Sequence, residues 1–589
     1  MTELLEHSDA LDDEAVASKW AARFSEAVRA GGGAAELFVE DAWWRDLLAF
    51  TGDLHSRQGV AALDAQLVGA RSALRGSVQV AAPPDFAAVL PGDDGAVTAF
   101  LAFETVDGRG QGLVRLASSD GVWRAVSLFT TPEELRDLPF AAGAARPDGN
   151  SVDGRTWHAR RAAERDLGDG EPDVLIVGAG HSGLGLAAYL RAMGLRPLLV
   201  DQNQRVGDNW RHRYDSLVLH DPVHYDEMPF FPYPQTWPVF APKEKMGDWL
   251  ELYASAMELD VWCSTTVDDA ERVGDRWRVT LRSGASEGGA RRTVSPAHVV
   301  LATGVSGTVP QTPQVPGEFD GPVVHSSGYR GGGFGGKHVV VVGTGNSGHD
   351  VAQDLVEHGD RVTMIQRGPT YVVSAGAVGA VMMGASYSDS SPPTSISDYL
   401  GASSPHLSAA TTAGLQAATA AMAEYDAELH RGLSAAGFAL SHGDDGTGSM
   451  RLFLGRGGGY YIDVGCSRYI VDGAISVRSG VSLDGYDGRD VLLSDGSRVA
   501  ADAVVLATGF GGMEKTARAI FGDELAESCG QVWGLDDEGE VCGVWRRTAQ
   551  PGFWFAGGNL GFARMYNRYL ALTIGQDHLA KKKSEREMA

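Results

Sequence analysis

The 589-residue chain has few cysteines, a shortage of basic residues and no long apolar run, and each shortage excludes a class of protein. Four cysteines without a CxxC pair or zinc-ligand spacing argue against a disulfide framework, a dithiol reductase and a metal site. Lys and Arg number 50 against 76 Asp and Glu, a net charge of −26 that disfavours binding to nucleic acids or anionic membranes. No stretch approaches the roughly 18 consecutive apolar residues of a transmembrane helix.

The first 25 residues are acidic and lack the basic start and apolar segment of a secretion signal, so we expect a cytoplasmic protein. The length and a hydrophobic fraction of 43% suggest three or four globular units at about 150 residues each.

An internal repeat is the strongest organising signal. Residues 174–183 (VLIVGAGHSG) recur as residues 339–348 (VVVVGTGNSG). Each copy predicts a buried parallel strand, a glycine turn and a helix, and another apolar strand follows. Two more strands ending in ATG, at 298–304 and 502–509, alternate with these units. This order predicts an α/β fold with two Rossmann-like dinucleotide-binding domains, the second inserted in the first.

The glycine motifs predict two phosphate-binding turns. In such a motif the first glycine makes the tight turn, the second lets backbone approach a pyrophosphate, and the third lets helix pack on strand. A lone GxGxxG is a weak signal, but here each motif follows a strand and opens a helix. The glycines are Gly178, Gly180 and Gly183 in the first copy, and Gly343, Gly345 and Gly348 in the second.

The residue after the second strand of each unit predicts which dinucleotide binds. Asp201 in the first copy suits a ribose 2′-hydroxyl and repels a 2′-phosphate. The second copy has Gln366 and Arg367 at the positions of Asp201 and Gln202, and an arginine pairs with a 2′-phosphate unless it is only a surface residue. We therefore expect NADPH in the second unit and, since two dinucleotides suggest hydride transfer to a flavin, FAD in the first.

The segment between the motifs carries a family resemblance. Residues 319–329 (FDGPVVHSSGY) resemble the fingerprint FxGxxxHxxx followed by Tyr or Phe of the class B flavin-containing monooxygenases. In the related Baeyer–Villiger enzymes the motif ends in Trp followed by Pro or Asp, which Tyr329-Arg330 does not match. The fitting positions are Phe319, Gly321, His325 and Tyr329.

Further segments extend this resemblance over roughly residues 173–576. GDNW at 207–210 is similar to a GGxW segment bordering FAD, with Asp208 in place of the second glycine. LVLH at 217–220, FAGGN at 555–559 and YLALTI at 569–574 resemble the YUCCA-like indole-3-pyruvate monooxygenases. Many amine- and sulfide-oxidising relatives have asparagine at the position of the histidine in LVLH.

The resemblance implies an NADPH- and O2-dependent monooxygenase. NADPH would reduce FAD, oxygen would add at the flavin C4a as a (hydro)peroxide, and one oxygen atom would pass to a small organic substrate. The reaction is either decarboxylation of an α-keto acid or oxygenation at N or S. His220 is a candidate for contact with flavin or oxygen, or else a buried core histidine; Asn559 is a candidate flavin contact.

The other expected cofactor contacts flank the glycine motifs, the ATG turns and the fingerprint, where His325 and Tyr329 are expected to couple the two domains. They are Ser182, Gln202, Asn209, Trp210, Thr303, His325, Tyr329, Asn346, Ser347 and Thr508.

The N-terminal part predicts a long helix followed by meandering strands, similar to an α+β cone of the NTF2 or SnoaL type. Its role is either structural and oligomeric or that of a second ligand pocket. The expected divisions are 1–145 for this domain, 146–170 for a linker, 171–335 and 501–580 for the two parts of the FAD domain, 336–500 for the NADPH domain with a helical insertion at 375–448, and 581–589 for a flexible tail.

Three other functions stay open on the sequence alone. They are an NADPH oxidase that releases peroxide, a pyridine-nucleotide disulfide reductase, and a redox-sensing protein that binds FAD and NADPH without turnover. The insertion is either a substrate lid or a solvated elaboration, and a homodimer is plausible.

Overall fold

The computed structural model describes residues 2–91, 95–119, 121–152, 154–284 and 288–588. Within these ranges no helix has the length and apolar character needed to cross a membrane.

The N-terminal domain is a mixed seven-stranded sheet with three helices. In the sheet, β1 and β7 are parallel and the other pairs are antiparallel, in the order β2-β1-β7-β6-β5-β3 with β4 beside β5. The elements are α1 (Thr2–Ala30), α2 (Ala34–Leu37), β1 (Phe38–Leu47), β2 (Leu54–Gln58), α3 (Val60–Ala70), β3 (Leu74–Val80), β4 (Val89–Pro91), β5 (Val97–Thr105), β6 (Gly108–Ser119) and β7 (Val122–Leu135).

One face of α1 attaches this helix to the sheet. Ala17, Trp20, Phe24 and Val28 recur at helical spacing and are all buried. Trp20 stacks on Phe24 with ring centroids 5.2 Å apart, and the Trp20 indole donates a hydrogen bond to the Leu37 carbonyl at 2.9 Å. Burial of Phe24 and of Val28 contributes about 1.5–3 kcal/mol each, so packing rather than helix propensity holds α1.

The first nucleotide unit is a parallel sheet of five strands in the order β10-β9-β8-β14-β26. Its strands β8 and β9 are buried aliphatic runs because both faces of the sheet are covered, and β26 is a buried aromatic run. The elements are α4 (Trp157–Arg165), β8 (Val174–Val177), α5 (His181–Ala192), β9 (Pro197–Val200), α6 (Asp208–Arg211), α7 (Val223–Asp226), α8 (Lys243–Ala256), β10 (Asp260–Trp262), β11 (Thr265–Val273), β12 (Arg276–Ser283), β13 (Arg291–Val294) and β14 (His298–Leu301).

The second unit repeats this plan with the strand order β15-β25-β16-β17-β21. A three-stranded parallel sheet, β19-β18-β20, and the antiparallel β22-β23-β24 are added to it. The strands are β15 (Val323–His325), β16 (His338–Val342), β17 (Arg361–Gln366), β18 (Thr370–Ser374), β19 (Leu440–Ser441), β20 (Tyr460–Asp463), β21 (Ile475–Ser479), β22 (Leu483–Asp487), β23 (Asp490–Leu493), β24 (Arg498–Ala500) and β25 (Ala503–Leu506).

The helices of this unit include those of the expected insertion. They are α9 (Asn346–Glu357), α10 (Ala375–Ala377) continued by a π-helix (Val378–Met383), α11 (Thr394–Ala402), α12 (Ala409–Tyr425), α13 (Ala427–Ala435), α14 (Gly448–Arg456) and α15 (Cys466–Val471). The chain then returns to the first unit through α16 (Gly512–Phe521), α17 (Asp523–Ser528), β26 (Phe553–Phe555) and α18 (Leu560–Met588).

Two of the expected domain boundaries are wrong. β25, placed by the sequence in the second part of the FAD domain, pairs with β16 in the second sheet, where Val504 lies opposite Val340. β15, placed in the first part of the FAD domain, pairs with β25 in the same sheet. The two ATG strands look alike because each completes its own unit, and the return to the first sheet occurs only at β26.

The expected linker and tail both contain helix. The linker contains α4, which is fixed because the buried Arg161 pairs with Asp260 at 2.8 Å. α18 continues through the expected tail to Met588, and Lys581 pairs with Asp275.

Candidate functional site

Two glycine turns lie at the carboxyl ends of β8 and β16. Gly178 and Gly343 have φ values of +110° and +115°, which side chains rarely adopt. A Cβ at either position would lie within 2.5 Å of a carbonyl oxygen on the neighbouring strand, that of Ala302 or Ala507. The first glycine of each motif therefore lets the turn pass directly over the end of the adjacent ATG strand.

The third glycine of each motif has the expected packing role. A Cβ on Gly183 would lie 2.0 Å from the Gly178 carbonyl oxygen, and one on Gly348 would lie 2.3 Å from that of Gly343. Gly345 is different, because its Cβ would meet nothing closer than a carbonyl oxygen at 3.8 Å. Open space above the second glycine is what a bound pyrophosphate requires.

The second turn opens onto a cleft of about 1900 Å3, which the first unit borders through His181, the residue that follows its own glycine turn. It is lined by the start of α9, the end of β17, both ATG turns and the segment around α6. The expected site residues that line it are Gln202, Asn209, Trp210, Thr303, Gly343, Gly345, Asn346, Ser347, Gly348, Arg367, Thr508 and Asn559.

The remaining expected cofactor contacts lie outside this lining. The Ser182 hydroxyl and carbonyl oxygens both accept hydrogen bonds from the Asn567 amide of α18. The Tyr329 hydroxyl donates to Asp354 on α9, so the last fingerprint residue holds the following glycine-rich loop. Others outside the lining are Gly178, Gly180, Gly183, Asp201 and His325.

His325 lies next to the cleft. Its ring contacts the Gly509 carbonyl at 3.0 Å and the Ser327 hydroxyl at 2.9 Å, and Ser327 itself lines the cleft. Burial lowers the pKa of His325, so this ring is neutral and acts by positioning its neighbours.

The strand ends keep the register that the sequence repeat predicted. Gly178 N–H donates to the Val200 carbonyl at 2.8 Å and Gly343 N–H to that of Ile365 at 3.0 Å, so Asp201 corresponds to Gln366. Asp201 accepts a hydrogen bond from Ala179 N–H at 2.8 Å, which fixes the first turn. Gln366 is buried and bonded to the backbone of Ala439.

The next residue in each unit, Gln202 or Arg367, faces the cleft. Arg367 is exposed and follows directly after the end of β17. The end of β17 in the second unit is thus followed by the positive charge of Arg367, and the end of β9 in the first unit by the carboxylate of Asp201.

Buried polar atoms in the cleft test whether the site suits nucleotide cofactors. The Thr303 hydroxyl and the Trp210 indole N–H are buried without a hydrogen-bond partner in the described part of the chain. Such atoms normally have partners, and both lie at the wall between the two turns. Polar ligand atoms would satisfy them, so the residues of the first unit fit a bound dinucleotide such as FAD. In the second unit the exposed Arg367 at the cleft fits the 2′-phosphate that NADPH carries.

A smaller cavity of about 340 Å3 adjoins the cleft. The insertion covers part of it, because Val378, Met382 and Met383 of the π-helical segment line it. The lining residues shared with the cleft are His181, Trp210, Arg213, Asn346, Ser347, Phe453, Tyr460 and Asn559.

His220 lies in this smaller cavity beside a carboxylate. Its Nε2 is 3.5 Å from Asp350 Oδ1, and Tyr214 donates a hydrogen bond to the other oxygen of Asp350 at 2.5 Å. Burial lowers the pKa of His220, but the hydrogen bond and charge of Asp350 outweigh it and raise the pKa above its usual value. The Nδ1 atom is buried without a partner among the described residues, so His220 has an unused donor or acceptor.

Asn559 has a structural role as well as a place at the cavity. Its side-chain oxygen accepts a hydrogen bond from Phe562 N–H at 3.0 Å and another from the Tyr225 hydroxyl at 3.3 Å. The first bond caps α18. Asn559 therefore fixes the start of this helix where the cleft and the cavity meet.

Sequence reasoning missed the acidic residues of the cavity. Asp350 lies one helical turn after Asn346 on α9, a spacing that signals a shared face. Asp221 follows LVLH directly, Asp226 ends α7 five residues later, and both line the cavity. No motif distinguishes these two from surface carboxylates, so only the structure shows them.

The sequence comparisons agree with this geometry. The family model described as pyridine nucleotide-disulphide oxidoreductase matches residues 175–376. The indole-3-pyruvate monooxygenase YUCCA1 of Oryza sativa subsp. japonica is 36% identical over 208 residues, which are 34% of this chain and 49% of that protein. The matched part thus spans about half of this relative. The probable indole-3-pyruvate monooxygenase YUCCA10 of Arabidopsis thaliana is 29% identical over 58% of this chain and 82% of its own.

A solved structure of cyclohexanone monooxygenase with bound ε-caprolactone shares the fold. It superposes with a TM-score of 0.50 at 17% identity, over 70% of this chain and 88% of that one. The α/β architecture with Rossmann-like units is therefore confirmed. The chain is similar to the flavin-containing monooxygenases in sequence and fold, and this similarity confirms the expectation that FAD and NADPH are its cofactors.

Proposed function

We propose that the protein is an NADPH- and O2-dependent flavin monooxygenase acting on a small organic substrate. The observation that carries the proposal is the junction of two spaces: a cleft bordered by the second nucleotide turn and by the start of α5 in the first unit meets a separate cavity through shared residues. In the overall reaction NADPH supplies two electrons, one oxygen atom of O2 enters the substrate and the other leaves as water, and bound FAD supplies the redox chemistry.

The residues of the chain have distinct tasks in this proposal. The first glycine turn holds FAD, and the second turn with Arg367 holds NADPH. The methionines of the insertion exclude water from the cavity. His220, with Asp350 behind it, holds a proton at the cavity wall, where it can be given to or taken from a reacting atom.

A disulfide reductase is disfavoured, although the matching family model carries that description. Such enzymes exchange electrons through a reactive cysteine pair. The four cysteines are all unpaired, and none lines the cleft or the cavity.

For residues 1–145 we propose an NTF2- or SnoaL-like domain with a structural role. The long helix packed on a mixed sheet supports the fold, and the buried contacts of Arg45 with Glu540 support the role. We also propose that the protein forms a dimer through this domain and that it is cytoplasmic.

The experiment for the central proposal compares NADPH oxidation, oxygen uptake and hydrogen peroxide release with and without candidate substrates. A monooxygenase consumes NADPH and oxygen one to one and transfers one oxygen atom to product. An oxidase returns the oxygen as peroxide whatever is added, and a redox sensor shows no consumption above that of free flavin.

A further inference from the structure

The smaller cavity has an apolar body and a charged end. Its walls include Trp210, Phe453, Tyr460, Phe562 and Met382. A volume of about 340 Å3 suits a small ligand, and such walls suit an aromatic or aliphatic group.

The charges in the cavity are mainly negative. Asp221, Asp226 and Asp350 line it, against one arginine, Arg213. Asp350 is already engaged by His220 and Tyr214, and Arg213 also lines the cleft. Two carboxyl groups thus remain for a ligand.

Asp226 is the unusual group. It is 1% exposed, and neither of its carboxyl oxygens has a hydrogen-bond partner in the described part of the chain. Buried carboxylates are normally paired or hydrogen-bonded, because an unpaired one is destabilising by several kcal/mol. Burial, followed by the nearby charge of Asp221, raises the pKa of Asp226 well above its usual value.

The nearest buried arginine does not pair with Asp226. Arg564 of α18 binds both oxygens of Asp398 at 2.7 Å and donates to the carbonyls of Tyr225 and Glu227 at 2.6 and 2.8 Å. Its donors are therefore directed to the insertion and the backbone of α7, and the Asp226 carboxyl is left unpaired.

We propose that Asp226, supported by Asp221, binds an ammonium group of the substrate, so that the cavity selects small amines with an apolar body. An ammonium group supplies the positive charge and the donors that Asp226 lacks. Because a nearby cation favours the charged form of a carboxyl, its binding would lower the raised pKa of Asp226 and release the proton of that carboxyl to solvent. The assignment of the amine as substrate rests on the proposed function, whereas its binding does not. The ammonium is an anchor: a protonated nitrogen has no lone pair, so the oxygen-accepting atom lies elsewhere in the molecule.

The proposal decides between the two substrate classes left open by the sequence. An α-keto acid is an anion: it supplies no positive charge to Asp221 and Asp226, and loss of a proton from either carboxyl would place a like charge beside it, which is unfavourable in a buried site. The chain is thus similar in sequence to relatives named as indole-3-pyruvate monooxygenases, whose substrate is an anion, but its own cavity favours a cation.

The test measures equilibrium binding of three probes that share an indole ring, using the full chain with FAD bound and no NADPH. Tryptamine is the cation, tryptophol the neutral analogue and indole-3-pyruvate the anion. We expect tryptamine to bind at least about tenfold more tightly than tryptophol, as for one charge-assisted contact, and indole-3-pyruvate to bind most weakly. Equal binding of tryptamine and tryptophol, or no binding of either, would overturn the proposal.

Asp226→Asn keeps the shape of the side chain and removes its charge. It should weaken tryptamine binding about tenfold and leave tryptophol unchanged, whereas the control Asp484→Asn, on the exposed part of β22, should alter neither. Unchanged tryptamine binding in Asp226→Asn would overturn the proposal. If this variant does not fold, the probe preference of the unaltered protein decides alone.

The two proposals fail separately. Because the binding test needs no turnover, a preference for the amine without oxygen transfer refutes the monooxygenase and keeps the amine site. Oxygen transfer without a preference for the amine refutes the amine site and keeps the monooxygenase.

Discussion

At the scale of single residues, the internal repeat predicted where the side chains lie better than it predicted which groups they bind. Arg367 faces the cleft at the register that the alignment of the two units gave. Asp201 was predicted as a ribose ligand, yet one of its oxygens accepts from Ala179 N–H and the other from Asn203 N–H. A carboxylate has about four acceptor positions, so both roles are compatible.

Arg367→Ala should weaken NADP+ binding by about 1–3 kcal/mol, because it removes a charge-assisted contact to the 2′-phosphate. Binding of NAD+, which lacks this phosphate, should stay the same. Calorimetric titration of the variant with both coenzymes checks this, and equal losses for both would contradict the assignment of the second unit.

Asp350→Asn should lower the pKa of His220, since burial lowers this pKa and Asp350 is the main group that raises it. The favourable charge interaction of protonated His220 is present at low pH and lost as the pH rises through the folded-state pKa. Without Asp350 that contribution to stability shrinks.

Titration of the His220 ring signals by NMR measures this change. Tyr214→Phe is the matched control, because it removes a hydrogen bond to Asp350 but keeps the carboxylate, so the pKa of His220 should not fall. An unchanged or raised pKa in Asp350→Asn would contradict the account.

At the scale of secondary structure elements, periodicity and turn chemistry predicted the parts that local forces determine. The β-branched runs at 174–177 and 339–342 are the central strands β8 and β16. The assignment of β25 failed because a buried parallel strand carries no local signal of its neighbours: Val504 pairs with Val340 through tertiary packing alone. Likewise, no local signal predicted that the π-helical segment would cover the cavity.

Substitutions at two glycines of the second motif should affect the stability of the protein and its binding of NADP+ separately. In Gly348→Ala the new Cβ would lie 2.3 Å from a carbonyl oxygen, and such overpacking should lower the free energy of unfolding by about 1–3 kcal/mol or more. In Gly345→Ala the Cβ meets nothing closer than 3.8 Å and φ is −84°, so the loss of stability should stay at or below about 1 kcal/mol, the cost of alanine in place of glycine at the N-cap of α9.

Gly345→Ala should nevertheless weaken NADP+ binding, because the methyl group occupies the space above the turn. Urea unfolding together with coenzyme titration checks both variants. Tight NADP+ binding by Gly345→Ala would show that the pyrophosphate does not lie on this turn.

At the scale of the whole molecule, the N-terminal domain is joined to the rest by a buried polar network. Arg45 of β1 pairs with Glu540 at 2.7 Å, and both side chains are fully buried. Arg45 also donates to the Ala402 carbonyl at the end of α11 and to the Tyr566 hydroxyl of α18. These contacts link the sheet, the insertion and the C-terminal helix. The sequence did not predict them, because the residues lie far apart along the chain and belong to no motif.

Arg45→Met should lower the free energy of unfolding by about 3–5 kcal/mol, because it leaves the buried Glu540 without its partner. The control Arg109→Met breaks an ion pair with Glu134 in which Arg109 is 58% exposed, and it should cost at most about 1 kcal/mol. Denaturant unfolding compares the two. A similar small loss in both variants would argue that the N-terminal domain is only loosely attached.

The central claim is that the cleft and the cavity together carry out flavin-dependent oxygen transfer. Rapid-mixing absorbance tests it most directly: the FAD-bound protein is reduced anaerobically with NADPH and then mixed with oxygenated buffer. We predict a transient spectrum, distinct from those of oxidised and reduced flavin, whose lifetime a suitable substrate shortens. Direct return to oxidised flavin with one hydrogen peroxide per NADPH, unchanged by any substrate, would contradict the account.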